Sequence, residues 1–128
     1  MSVMLRTLPY HLRVGLILKG TGLKQLTAEE EKIHSAFARI EDQRPDLLPE
    51  LDFVKLSFYP YSHQLHDALV LLQNERILSA DNPHWEILRL DEERANQVEG
   101  GARKRDPEAA AALLALGQDI RDELAVTA

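Results

Sequence analysis

The stretch from Tyr59 to Leu90 constrains the fold more than any other part of the chain. Pro60 ends an aromatic, β-branched run (Phe53 to Phe58), and Ser62 is a good N-cap, with a side-chain oxygen placed to accept from the first turn of a helix. The helix it opens reads from His63 to Arg76, with Leu65, Ala68, Leu69 and Leu72 on one face at helical spacing. Two alternating segments follow, Ile77 to Ser79 and His84 to Leu90, separated by Ala80-Asp81-Asn82-Pro83, whose composition is that of a turn. A helix feeding directly into a β-hairpin is the result. Trp85, the lone tryptophan, reads as a core aromatic on the second strand of that hairpin rather than as a stacking platform for a base.

The chain before this stretch is less sharply written. Thr7 is placed to cap a helix from Leu8 to Lys19, with Pro9 in its first turn and Gly20 as its stop. Leu12, Val14, Leu16 and Leu18 also alternate as a strand would, so both readings stand. Gly20 to Leu26 holds two glycines and a lysine but lacks the phosphate-loop spacing, and reads as a plain turn between helices. Thr27 followed by Glu30 is a capping-box pattern, opening a helix with Ile33, Ala36, Phe37 and Ile40 as its apolar stripe and Pro45 as its end. Phe53 to Phe58 reads as a strand with Val54, Leu56 and Phe58 on one side.

Beyond the hairpin, Asp91 is placed to cap a short helix to Val98, stopped by Gly100-Gly101. Arg103-Lys104-Arg105 then falls in an exposed linker over 100–106. A last helix opens with Asp106 and Pro107 and carries Leu113, Leu116, Ile120 and Leu124 as a stripe. That stripe either closes the core or pairs with its copy in a homodimer. The expected layout is thus α+β: a winged-helix-like domain over 1–99 with a hairpin wing, a linker over 100–106, and a C-terminal helix in 107–128.

Charge is the first guide to partners. The net charge of −6 disfavours phosphate binding, yet residues 1–27 carry Arg6, Arg13, Lys19 and Lys24 and no acid, whereas Glu29 to Asp52 carries eight acids against three bases. The absence of cysteine removes disulfides and thiolate metal sites. No signal peptide or long apolar run is visible, so a cytoplasmic location without membrane contact is expected.

No reading of the residues yields a catalytic, cofactor or metal site. His63 and His66 diverge by about 60° around a helix, and no HExxH pattern is present. Ser62 near His66 is better explained as a cap than as a nucleophile, in the absence of a GxSxG elbow. The informative residues are those facing outward on the third helix: His63, Asp67, Val70 and Asn74, with Leu71 at the margin. A helix that reads DNA offers Arg, Lys, Asn or Gln to base edges. An acid flanked by Val and Leu suits a protein partner better. The alternative, a DNA-binding regulator, would have to use Gln64 and Asn74 for bases and Lys55, Arg89, Arg103, Lys104 and Arg105 for the backbone, binding weakly and with strong salt dependence.

From Thr21-Gly22-Leu23-Lys24-Gln25-Leu26 through Phe58-Tyr59-Pro60-Tyr61-Ser62, the helix with Leu65, Leu69 and Leu72, and on to Leu90, the layout resembles the Panacea or SocA-like family of winged-helix antitoxin-associated domains. Tyr59 stands where that family has glycine, and Arg76-Ile77-Leu78 where it has Gly-Leu-Ile. The resemblance implies a small bacterial or phage α+β domain that binds proteins, often a toxin or a protease adaptor and sometimes nucleic acid, and it brings no catalytic residues.

Overall fold

The computed structural model describes residues 8–55, 58–80 and 87–126, and these described residues form six helices and two small antiparallel sheets around one continuous apolar core. In chain order these are α1 (Tyr10–Gly20), β1 (Gln25–Thr27), α2 (Glu30–Gln43), β2 (Val54–Lys55), β3 (Pro60–Tyr61), α3 (His63–Asn74), β4 (Leu78–Ser79), β5 (Ile87–Leu90), α4 (Glu92–Arg105), α5 (Pro107–Asp119) and α6 (Arg121–Leu124). Thr7, Leu56, the turn through Pro83, and Trp85 lie outside the described residues.

The helix reading of α1 prevails over the strand reading because every residue from Arg13 to Leu18 is buried. A helix covered on all sides has no polar face to mark a period of 3.6, and that is why its sequence is ambiguous. Around α1 pack α3, α4 and α5, the last of them most extensively. The α1–α5 contact is made backbone to backbone. A Cβ at Gly20 would lie 2.1 Å from the Leu114 carbonyl oxygen, and one at Gly117 would lie 2.0 Å from that of Ile17.

Arg13, counted above among the basic groups of the chain's first part, is 1% exposed and holds the loop after α2. Its guanidinium pairs with both oxygens of Glu50 and donates to the carbonyls of Leu47 (2.9 Å) and Leu8 (3.2 Å). Leu47, Leu48 and Leu51 of that loop are buried as a consequence.

The expected capping box at Thr27 does not form. Thr27 is the last residue of β1, a strand inside the segment read as a turn and its continuation, and its hydroxyl accepts from the Glu29 N–H at 3.2 Å. The helix therefore starts at Glu30 without a side-chain cap. It ends at Gln43, two residues before Pro45, as the ring's clash with preceding helical backbone requires.

Of the expected Phe53–Phe58 strand, Val54–Lys55 is seen among the described residues, paired with Pro60–Tyr61. Val54 is 48% and Phe58 88% exposed, so both of these apolar side chains face out. In the larger sheet the order is β1-β5-β4, with Leu26 opposite Leu88 and Leu78 opposite Leu90.

Ser62 caps α3 as expected, accepting from the Leu65 N–H at 3.2 Å, and Leu65, Ala68 and Leu72 are fully buried. The helix ends in a Schellman turn, Ile77 N–H to Leu72 O (2.9 Å) and Arg76 N–H to Gln73 O (3.0 Å). Arg76 occupies its left-handed position at φ 62°, a conformation that costs a non-glycine residue roughly 1 kcal/mol.

The expected linker over 100–106 is corrected by α4, which runs through Gly100 and Gly101 to Arg105 with Asp91 as its cap (Arg94 N–H to Oδ1, 2.8 Å). Its neighbours explain why the glycines do not stop it: Ala95 and Ala102, on either side of them, are buried. Arg103, Lys104 and Arg105 form its last turn, where cations offset the helix dipole. Only Asp106 separates α4 from α5, which it caps through the Ala109 N–H at 3.1 Å. Leu113, Leu116, Ile120 and Leu124 are each 5% exposed or less. The last helices close the core, and that stripe is not presented to a second copy.

Candidate interaction face and the His34 cluster

Because Ser62 fixes where α3 begins, the 100° advance per residue fixes which side chains leave the core. His63, Asp67, Val70, Leu71 and Asn74 are all exposed, with Val70 at 41% and Leu71 at 39%. The sequence His63–Asn74 contains no lysine or arginine. Val54 on β2 and Phe58 shortly before β3 are exposed apolar residues of the segment that leads into this helix. They escaped the sequence reading because alternation alone does not say which side of a two-stranded ribbon is covered.

The residues of the nucleic-acid alternative are not brought together. Gln64 is tied inward, its amide oxygen accepting from the Ser62 hydroxyl (3.1 Å) and the Asp52 N–H (3.3 Å). Lys55 lies exposed on β2 and Arg89 on β5. Arg103 pairs with Glu99 at 2.6 Å, and Arg103 to Arg105 end a helix that carries them about 18 Å from its start beside the sheet, at 1.5 Å per residue.

Behind the start of α3 lies a cluster of rings. His34, on α2 and fully buried, stacks on Tyr61 with centroids 4.4 Å apart and planes 10° from parallel. Its Nδ1 accepts from the Ser62 N–H at 3.1 Å, so the neutral ring carries its proton on Nε2. Among the described residues nothing accepts from that atom. Desolvation holds the His34 pKa below its ordinary value, with Glu30 opposing and His66 adding to the effect. His66 and Tyr59 both reach toward Glu30, at 3.7 and 3.5 Å. His63 meets the edge of Tyr61 at 5.2 Å, and His66 lies 6.5 Å from the same ring. His34 sits at the margin of the stripe, one residue after Ile33 and three before Phe37, and that position was the signal for its burial.

The Ser62 hydroxyl is buried and engaged in capping, which removes it as a nucleophile. Among the described residues no group of three or more His, Asp or Glu side chains is placed to hold a metal ion. Two open clefts, of about 610 and 580 Å³, flank the end of α3 and share Arg76. Arg94 lines the first and Arg89 the second.

Comparison with protein-family models, with curated proteins and with solved structures returns no match. The functional reading rests on this geometry.

Proposed function

We propose that this chain is a non-enzymatic protein-recognition module of winged-helix-like build, acting in the cytoplasm of a bacterial or phage system. The order α1, β1, α2, α3 followed by the β4–β5 hairpin, with β5 between β1 and β4, supports the winged-helix reading. The β2–β3 ribbon is an insertion before α3. Among the described residues no helix is long and apolar enough to cross a membrane.

One observation carries the choice of partner: the exposed face of the third helix is apolar and acidic, with Val70 and Leu71 beside Asp67 and no cation on the helix. Phosphates are repelled by such a face, whereas a partner's apolar side chains gain from covering it. The resemblance to SocA-like domains directs the search toward a toxin or a protease as that partner.

The test has two arms. Random duplex DNA is titrated against the purified protein at low and moderate salt, and affinity capture compares the wild type with Val70→Asp. The expected outcome is no tight DNA binding at low salt and a defined protein held by the wild type and lost in the variant. Tight binding that collapses steeply as salt rises would instead make this a DNA-binding regulator.

A further inference from the structure

We infer that Arg76, with Arg94 and Arg89, forms a carboxylate-gripping ridge, and that the protein partner engaging α3 presents an acidic segment there. This rests on the protein-recognition reading and specifies the partner's chemistry. The three arginines come from three elements, the end of α3, β5 and the first turn of α4, and the two clefts that meet at Arg76 bring them to one edge of the molecule.

The ridge differs from most of the other described arginines, although Lys24, Lys55 and Lys104 are likewise exposed and without an ion pair among the described residues. In a protein of net charge −6, carboxylates engage Arg13, Lys19, Lys32, Arg39, Arg44 and Arg103. Arg76, Arg89 and Arg94 are exposed and make no ion pair among the described residues. The acids nearest to them are already committed. Glu75 is bonded to His11, and Asp91 accepts from the Arg94 N–H. Glu92 and Glu93 line a third cleft, which adjoins the first at Gln97.

Arg76 also stands where glycine would hold the Schellman turn without strain, so the position gains from arginine only what its side chain does. A guanidinium meets a carboxylate through two parallel N–H donors, and three such forks suit a segment with more than one acid. Continuity with α3 favours a protein source over DNA. Asn74 lines the same cleft as Arg76, Val70 lies one turn before it, and the acid at Asp67 would face a phosphate chain laid along the helix.

The experiment titrates the full-length ¹⁵N-labelled chain with hexaglutamate at low salt and follows the arginine Nε–H resonances, using duplex DNA as competitor. The variants are Arg76→Gly and Arg76→Lys. Hexaglutamate is expected to shift Arg76 and Arg94, with affinity about ten-fold weaker in Arg76→Gly and intermediate in Arg76→Lys. Arg76→Gly is expected to melt at a higher temperature than the wild type, a result that a purely structural arginine would not give. Equal affinity in Arg76→Gly, shifts scattered over the surface, or a lower melting temperature in that variant would overturn the inference. Displacement of hexaglutamate by duplex DNA at matched charge would give the ridge to phosphates and also overturn it. The titration reads the arginines alone, whereas the capture comparison with Val70→Asp reads the α3 face, so failure here is distinguishable from failure of the α3 reading.

Discussion

Replacing Gly117 by alanine places a methyl carbon 2.0 Å from the Ile17 carbonyl oxygen and 2.7 Å from the Gly20 carbonyl carbon and the Thr21 nitrogen. All three atoms are backbone, so no side chain can rotate away. Ordinary contact at roughly 3.4 Å would need α5 to retreat from α1 by about 1.4 Å, and a gap of about 1 Å already forfeits up to about half of the dispersion attraction across the interface. Overpacking of this kind costs about 1–3 kcal/mol and sometimes more, and a clash with unyielding backbone belongs at the upper end. The gain in helix propensity from Gly to Ala, about 1 kcal/mol, offsets part of it. A net loss of about 3 kcal/mol is expected, read by urea unfolding followed by circular dichroism, with the melting temperature falling by roughly 10 °C for a chain of this size. Stability within about 0.5 kcal/mol of wild type would refute the close approach of the two helices.

Gly100→Ala and Gly101→Ala are the counterpart, since a Cβ at either position meets nothing within 4 Å. Each is expected to raise stability by about 0.5–1 kcal/mol in the same assay, and a loss would argue against a continuous α4. Truncating Arg13 to alanine strands the carbonyl of Leu47 and the Glu50 carboxylate, and a loss of about 3–5 kcal/mol in urea unfolding is expected; a loss under about 1 kcal/mol would dismiss the buried pair as an anchor. His34 titrates below its ordinary value when folded, so below about pH 6.5 the unfolded chain binds the proton more readily and stability falls with pH, by up to about 1.4 kcal/mol per pH unit. Unfolding at pH 7.5 and 5.5 is expected to show this drop in the wild type and a smaller one in His34→Gln; equal drops would assign the effect to other groups.

What could be read from the sequence follows from how local the determining forces are. The α3 stripe, the Ser62 cap and the Asp106-Pro107 start are set within one helical turn, and the structure has them where their spacing places them. Thr27 carries a cap pattern that also suits a turn leaving a strand, and pairing of Leu26 with the distant Leu88 decided between them. Gly100-Gly101 would end an isolated helix, yet burial of Ala95 and Ala102 holds α4 together across them. The importance of Gly117 has no local signature, because its reason is a backbone nearly a hundred residues earlier in the chain. Of the candidate surface, the α3 face was legible from the helical wheel. The ridge was not, since Arg76, Arg89 and Arg94 meet only through the hairpin and the start of α4.

The pairing of α1 with α5 also sets an order of events during synthesis. α1 is the first helix described, but much of the surface that covers it belongs to α5, which is translated far later. Until then Val14, Ile17 and Leu18 lack that cover, and the strand pair from Leu26 to Ala125 cannot close. Contacts of such long sequence separation slow folding and leave apolar surface open to wrong partners in the interval. In a nascent chain the apolar side of α1 therefore gains its cover only once Asp106 to Leu124 has emerged.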